Sequence, residues 1–289
     1  MILITGASGR IARRTAELLG GNEFALRLMS RTPERVPRLD KTEVVRGDFA
    51  IPESLESAFS QVETALVISG SAKPGARARL HQNAFEAAAR AGVRHVIYLS
   101  LQGASADSKY PFSRDHYLSE QYLAATGLAY TVLRNAFYMD MFLERFDSDG
   151  VVRGPAGQTR AAFVSREDVA RIAAAVLINP PGGIRDVTGP EALNVTEVAD
   201  RFSTMVGRRL QYEEESAESA RERLGHTESE SWRVDLTVGW FEAIRGGELE
   251  RISDAVLRCT GVAPLKLEEY FSLFPELLRP LRAIPSLSH

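Results

Sequence analysis

Residues 1–19 read MILITGASGRIARRTAELL, and the architecture follows from them. An apolar run from Met1 to Thr5 stops at Gly6-Ala7-Ser8-Gly9 and gives way to RIARRTAELL, whose apolar residues fall at helical spacing. Strand, glycine-rich turn and helix start therefore come in the order that a dinucleotide-binding unit requires. Gly6 permits the tight turn, and Gly9 lets the main chain approach a pyrophosphate. Amides of the first helical turn have no intrahelical acceptor and face the anion. Ala12 stands where a third glycine is often found, and its one methyl bears only on how closely helix and strand pack.

Further along, at the end of the second apolar run, NAD-binding chains carry an acidic residue for the ribose diol. Ser30, Arg31 and Thr32 stand there instead. A guanidinium at Arg31 attracts the 2′-phosphate of NADP through charge-assisted, bidentate hydrogen bonds, with no carboxylate to repel it. The cofactor predicted is NADP(H), with Arg10 as a second cation beside the phosphates. After the third strand, GDFA places Asp48 and Phe49 where an acceptor and an apolar face would meet adenine, and Asp48 has the alternative of capping the IPESLESAF helix. Ser69, Gly70 and Ser71 follow the fourth strand, on the carboxyl edge of the sheet, where ligands of such folds bind.

The alternation continues. Runs at Phe24–Ser30, Glu43–Arg46, Ala65–Ser69, His95–Leu101 and Ala129–Arg134 read as strands, separated by the amphipathic ESLESAFSQ, GARARLHQNAFEAAARAG and SRDHYLSEQYLAATG. Gly92 and Gly127 mark two helix ends. SREDVARIAAAVL, residues 165–177, opens on Ser165 as N-cap with Asp168 in the first turn, and reads as another sheet-covering helix. The fold class expected is α/β, a Rossmann-type doubly wound parallel sheet with helices on both faces. Residues 1–189 are read as the nucleotide-binding domain, with 135–155 contributing to a substrate cleft. Residues 190–289 turn helical and charged, with RRLQYEE as the one convincing strand, and are read as a smaller α-rich cap on the substrate side. Within the cap, EEESAESARERL reads as a solvated helix face.

Composition sets the outer limits. The 289 residues are 44% hydrophobic and 25% charged with a formal net charge of -3, so the chain lacks the basic field that nucleic acid or an anionic membrane would require. Cys259 is the only cysteine and leaves no intrachain disulfide. No run approaches the roughly 20 apolar residues of a membrane span, and no His, Cys or carboxylate spacing suits a metal. A cytoplasmic protein is expected.

The acid–base pair of ordinary short-chain dehydrogenases is a tyrosine four residues before a lysine. Here Tyr110 is followed by Arg114 and Tyr117 by Gln121. The corresponding helix carries DHYLSEQYL instead, with His116 and Glu120 one turn apart on one face, so that Glu120 is expected to orient the imidazole. His116 is then a candidate proton donor, or a ligand of the nicotinamide ribose. His81, on the preceding helix, is expected to be structural.

GASGRIA, the SRTPER turn, GDF, the VIYLSLQGA strand, the run from His116 through TGLAYTVLRN, and SREDVARIAAAVL together resemble the NmrA-like branch of the atypical short-chain dehydrogenases. Within it the chain is most similar to type-2 NAD(P)H:quinone oxidoreductases and triphenylmethane dye reductases, over roughly residues 1–190. The resemblance implies a Rossmann domain, an NADPH cofactor and a cleft under the C-terminal cap. Carried over by position, Gly6, Ala7, Ser8, Gly9, Arg10 and Ile11 would bind pyrophosphate and Arg31 the 2′-phosphate. Asn135 to Asp140 would line the nicotinamide end, with Phe137 and Tyr138 as walls and Tyr138 a second catalytic candidate. Ser100, His116 and Arg166 join the cofactor-binding set, His116 standing where other branches have lysine. The function expected is hydride transfer from NADPH to a quinone-like or other conjugated small molecule. The alternative is a non-catalytic NADP-sensing protein that regulates a partner, and a homodimer is the other association such a chain would form.

Overall fold

The computed structural model describes residues 1–20, 24–70 and 72–284. The strands are β1 (Ile2–Thr5), β2 (Leu26–Ser30), β3 (Thr42–Arg46), β4 (Thr64–Val67), β5 (His95–Leu101), β6 (Ala129–Asn135), β7 (Val151–Gly154), β8 (Gly183–Val187) and β9 (Gln211–Glu214). The helices are α1 (Arg10–Leu19), α2 (Glu53–Phe59), α3 (Arg77–Arg90), α4 (Pro111–Ala125), α5 (Arg166–Ile178), α6 (Val195–Val206), α7 (Ala217–Gly225), α8 (Ser231–Arg245), α9 (Ala255–Thr260), α10 (Leu267–Leu273) and α11 (Arg279–Ala283).

Seven strands form one sheet in the order β3-β2-β1-β4-β5-β6-β8, every pairing parallel. This is the doubly wound Rossmann order, and the direction of winding reverses between β1 and β4. Because side chains alternate along a strand, β5 sends Ile97 and Leu99 into one layer and Val96 and Tyr98 into the other. The first layer is covered by α1, α5 and α9, the second by α2, α3 and α4. Ser165 caps α5 as its sequence predicts, accepting the Asp168 amide at 2.9 Å.

Two strands lie outside the sequence expectation. As the last strand of the sheet, β8 leaves Ile184 exposed and Arg185 half-exposed, so it has no continuous apolar run to betray it. The four residues of β7 pair in parallel with β9, which falls in the anticipated RRLQYEE. That pairing ties the segment after β6 to the helical region. The two share an aromatic core in which Phe137 stacks on Trp240 at 5.2 Å and Phe142 meets Phe163 edge-on at 4.8 Å. Only Ala220 of α7 is buried, as a solvated helix face requires. Among the described residues no helix is long and apolar enough to cross a membrane, and no group of metal-ligating side chains comes together.

Candidate functional site

The winding reversal opens a cleft at the carboxyl ends of β1 and β4. Gly6 takes φ +64°, a left-handed conformation that side chains oppose. A Cβ on Gly9 would lie 3.2 Å from the Gly6 carbonyl, so this loop has no room for larger residues. Gly9 caps α1 without a side-chain hydrogen bond, which leaves the amides of Arg10 and Ile11 to an outside acceptor. The amides of Ala7 and Gly9 are already used, donating to the carbonyls of Met29 at 3.0 Å and Gly6 at 2.8 Å, so these two residues shape the cradle.

A cavity of about 570 Å³ runs from this loop past Ser30, Arg31 and Thr32 to Asp48 and Phe49, and ends at Ile68, Ser69 and Gly70. Ser30 Oγ accepts the Thr32 amide at 3.1 Å, fixing the turn that presents Arg31. Arg31 and Arg35 are both exposed on the cavity wall, and among the described residues neither has an ion-pair partner. Arg10 differs from expectation: it pairs with Asp140 at 3.0 Å and lines no part of this cavity. The second cation on this wall is Arg35, at the end of a 3₁₀ turn that Pro33 starts. Its signal in the sequence was the spacing RTPER. Asp48 closes a turn, its Oδ1 accepting the Ala50 amide at 2.9 Å, while α2 begins later with Pro52 as cap. Phe49 is buried along the wall, and Ser71 lies outside the described residues.

Ile68, Ser69 and Gly70 also border a second cavity of about 1010 Å³, so the two run into one another. Its walls include Tyr110, Phe112, Phe137 and Tyr138, with Ile11, Ser100 and His116 toward the sheet. Asn135 does not line it. Its side-chain nitrogen instead donates to the Tyr138 hydroxyl at 3.4 Å. Arg166 lies 4.1 Å over the Tyr138 ring and pairs with Asp140 at 2.7 Å, so Asp140 joins the first turns of α1 and α5. Burial pushes the Tyr138 hydroxyl up, against the pull of Arg166, and makes it a poor acid.

His116 is buried, and Glu120 does not orient it. Glu120 accepts from Ser100 Oγ at 2.5 Å and from the Arg134 guanidinium at 2.5 and 2.9 Å. The imidazole is held instead by Tyr98, whose hydroxyl lies 2.7 Å from His116 Nδ1 and 3.0 Å from His81 Nδ1. Ser119 Oγ, 2.8 Å from His81 Nδ1, donates to the Asp115 carbonyl at 2.7 Å, an acceptor only. In the arrangement that puts the Ser119 proton on that carbonyl, His81 Nδ1–H donates to Ser119 and Tyr98, and the Tyr98 proton goes to His116 Nδ1. The chain leaves His116 with its hydrogen on Nε2. His81 Nε2, buried without a partner, is the bare nitrogen this assignment needs.

Desolvation, followed by the nearby Arg77, lowers both histidines, His81 to about 3 and His116 well below its usual range. His116 is thus a neutral hydrogen-bond donor near pH 7, not an imidazolium acid. Stability follows from the sign of these shifts. Above pH 6.5 both histidines are neutral whether folded or not, whereas below it the unfolded chain gains protons that the folded one refuses. Between pH 7 and 5 the pair is expected to cost on the order of 3 kcal/mol. Urea unfolding of wild type and His81→Gln checks this: the variant should lose about half that pH dependence, and parallel curves would contradict it.

A family model described as NAD(P)H-binding matches residues 6–180. Quinone oxidoreductase 2 of Escherichia coli is 31% identical over 222 residues, which cover 74% of this chain and 77% of that protein. An NmrA-like family domain-containing oxidoreductase of Aspergillus flavus is 30% identical over 227 residues, 72% of each chain. The crystal structure of the NADPH-dependent quinone oxidoreductase from Escherichia coli, complexed with NADPH, aligns with a TM-score of 0.86 at 28% identity, covering 95% of this chain and all of that one. With the glycine cradle, the open helix start and the sheet order agreeing with these matches, the chain belongs to the NAD(P)H-binding family, in its NmrA-like branch of Rossmann-fold oxidoreductases.

Proposed function

We propose that this chain is an NADPH-dependent oxidoreductase that reduces a quinone-like or other conjugated small molecule. The observation that carries the reading is the junction at Ile68, Ser69 and Gly70, where the cleft of the glycine-rich loop, with two arginines that have no ion pair among the described residues, meets a large aromatic-walled cavity. The residues fit the cofactor: the amides of Arg10 and Ile11 take the pyrophosphate, Arg31 and Arg35 the 2′-phosphate, and Phe49 one face of the adenine. Reduced nicotinamide, when bound, supplies a hydride from its C4.

The protein's part is position, dryness and one hydrogen bond. Tyr110, Phe112, Phe137 and Tyr138 offer flat apolar surface on which a conjugated ring can lie while water is kept out. His116 Nε2–H serves as a hydrogen-bond donor to an acceptor oxygen that gains negative charge, and the relay through Tyr98 and His81 keeps that tautomer fixed. Hydride addition leaves a hydroquinone anion, a weak enough base to form without a general acid and be protonated by water afterwards, so no Tyr-x-x-x-Lys pair is needed, and the sequence has none.

Anaerobic assays with a panel of benzoquinones and naphthoquinones test the reading. NADPH oxidation should exceed NADH oxidation at equal concentration, and its kcat should show no titration near pH 6.5, because His116 stays neutral. Binding of NADPH with no oxidation by any quinone would overturn the enzyme in favour of a cofactor sensor.

A further inference from the structure

Arg77 and Arg145 both line the larger cavity. Arg77, the first residue of α3, is only 8% exposed. Its Nη2 donates to Ser69 Oγ, and its guanidinium lies 3.9 Å over Phe112. Arg145 follows the 3₁₀ turn Met139–Glu144, donates to the Met141 carbonyl at 2.7 Å and lies 4.0 Å over Trp240. In each, Nε is buried with no partner.

The other cations on this wall each have a carboxylate partner: Lys73 and Arg233 share Glu230 at 2.6 and 3.1 Å, and Arg166 pairs with Asp140 at 2.7 Å. Among the described residues neither Arg77 nor Arg145 has a carboxylate at ion-pair distance. Asp115 and Glu144 act on them only through space. Burial accordingly lowers Arg77 and brings Arg145 down to about 10. Arg77 is buried and Arg145 half-buried; a cation so placed without an anion is costly, and a ligand that supplied the charge would relieve both.

An aromatic arc joins the two guanidiniums. Phe112 meets Tyr110 at 5.6 Å, Tyr110 meets Phe137 at 5.2 Å, and Phe137 stacks on Trp240 at 5.2 Å. Both arginines act on the Tyr110 hydroxyl, pulling against the upward push of its burial, so both lie near the middle of this arc.

We infer that the molecule this cavity takes is an anion: a conjugated ring bearing a carboxylate or sulfonate-like oxyanion, held by Arg77 and Arg145 while its ring packs on the aromatic arc. The reducible nature of that ring rests on the oxidoreductase reading, whereas the anion site does not. Guanidiniums recognise oxyanions by paired, charge-assisted hydrogen bonds, and the Nη groups not spent on Ser69 and Met141 are the donors left for that purpose.

Two measurements test it. The first compares kcat/KM with NADPH for 1,2-naphthoquinone-4-sulfonate and neutral 1,2-naphthoquinone; the second titrates 1-naphthalenesulfonate and neutral 2-naphthol calorimetrically into NADP⁺-saturated protein. Wild type should favour each sulfonate by about tenfold or more, Arg77→Met and Arg145→Met should each cut that ratio about tenfold, and Arg145→Lys should keep part of it. A ratio of one or less in wild type, or one unchanged in both Met variants, overturns the inference. Should one variant fail to fold, the wild-type ratios and the other variant still decide. Sulfonate binding lost in the variants, with no quinone reduced, would leave the anion site standing and remove the oxidoreductase. Reduction of the neutral quinone with no sulfonate preference would do the opposite.

Discussion

Arg31→Glu is expected to weaken NADPH binding by about 100-fold while changing NADH binding only a few-fold. Among the described residues no carboxylate holds the side chain away from the cavity wall, so its charge is available to the 2′-phosphate. Its exposure means that solvent and salt screen the pair, which keeps the effect near 100-fold rather than far beyond it. Reversal also puts a carboxylate where a ribose diol would accept its hydrogen bonds, so NADH loses nothing comparable. Arg35→Ala should cost NADPH about tenfold, since it removes one cation and introduces no repulsion. Fluorescence titrations with both dinucleotides check this, and equal losses for the two would show that Arg31 acts on the shared part of the cofactor.

Glu120→Ala is expected to destabilise the protein by about 3 kcal/mol. Glu120 is 5% exposed and carries two partners with no other side-chain hydrogen bond among the described residues: Arg134, bound through both its Nε and Nη2, and Ser100 Oγ. Truncation leaves the guanidinium on β6 with only the through-space pull of Asp186 and frees Ser100, which lines the larger cavity. Glu120→Gln keeps an acceptor for Ser100 but not the charge, and should cost about half as much. Urea unfolding gives both values; a loss under about 1 kcal/mol for the alanine variant would mean that water at the partly open side of Arg134 offsets the lost charge. A fall in kcat/KM for Glu120→Ala beyond its effect on folding would confirm that Ser100 must be held still.

The nucleotide half of the site was legible because its chemistry is local. GASGRIA sets turn, amide and helix within seven residues, and Arg31 is fixed by a strand end that periodicity alone locates. The acceptor half was not. Glu120 lies one turn from His116 on the same helix face, and helical spacing rightly makes them neighbours, yet Arg134 reaches Glu120 from β6 and Tyr98 reaches His116 from β5. Cross-element partners of this kind have no sequence period. Asp140 likewise draws Arg10 out of the phosphate site from 130 positions away. β8 escaped notice for a different reason: an edge strand exposed on one side needs no apolar run, and GIRDV has none.

Hydride transfer itself is tested most directly by a single turnover. NADPH-saturated protein is mixed anaerobically with one equivalent of a naphthoquinone, and nicotinamide and quinone absorbances are followed together. One equivalent of NADPH should disappear as one equivalent of quinol forms, in a phase slowed when C4 of the nicotinamide carries deuterium. NADPH that stays bound and reduced while the quinone is untouched would contradict the proposed enzyme.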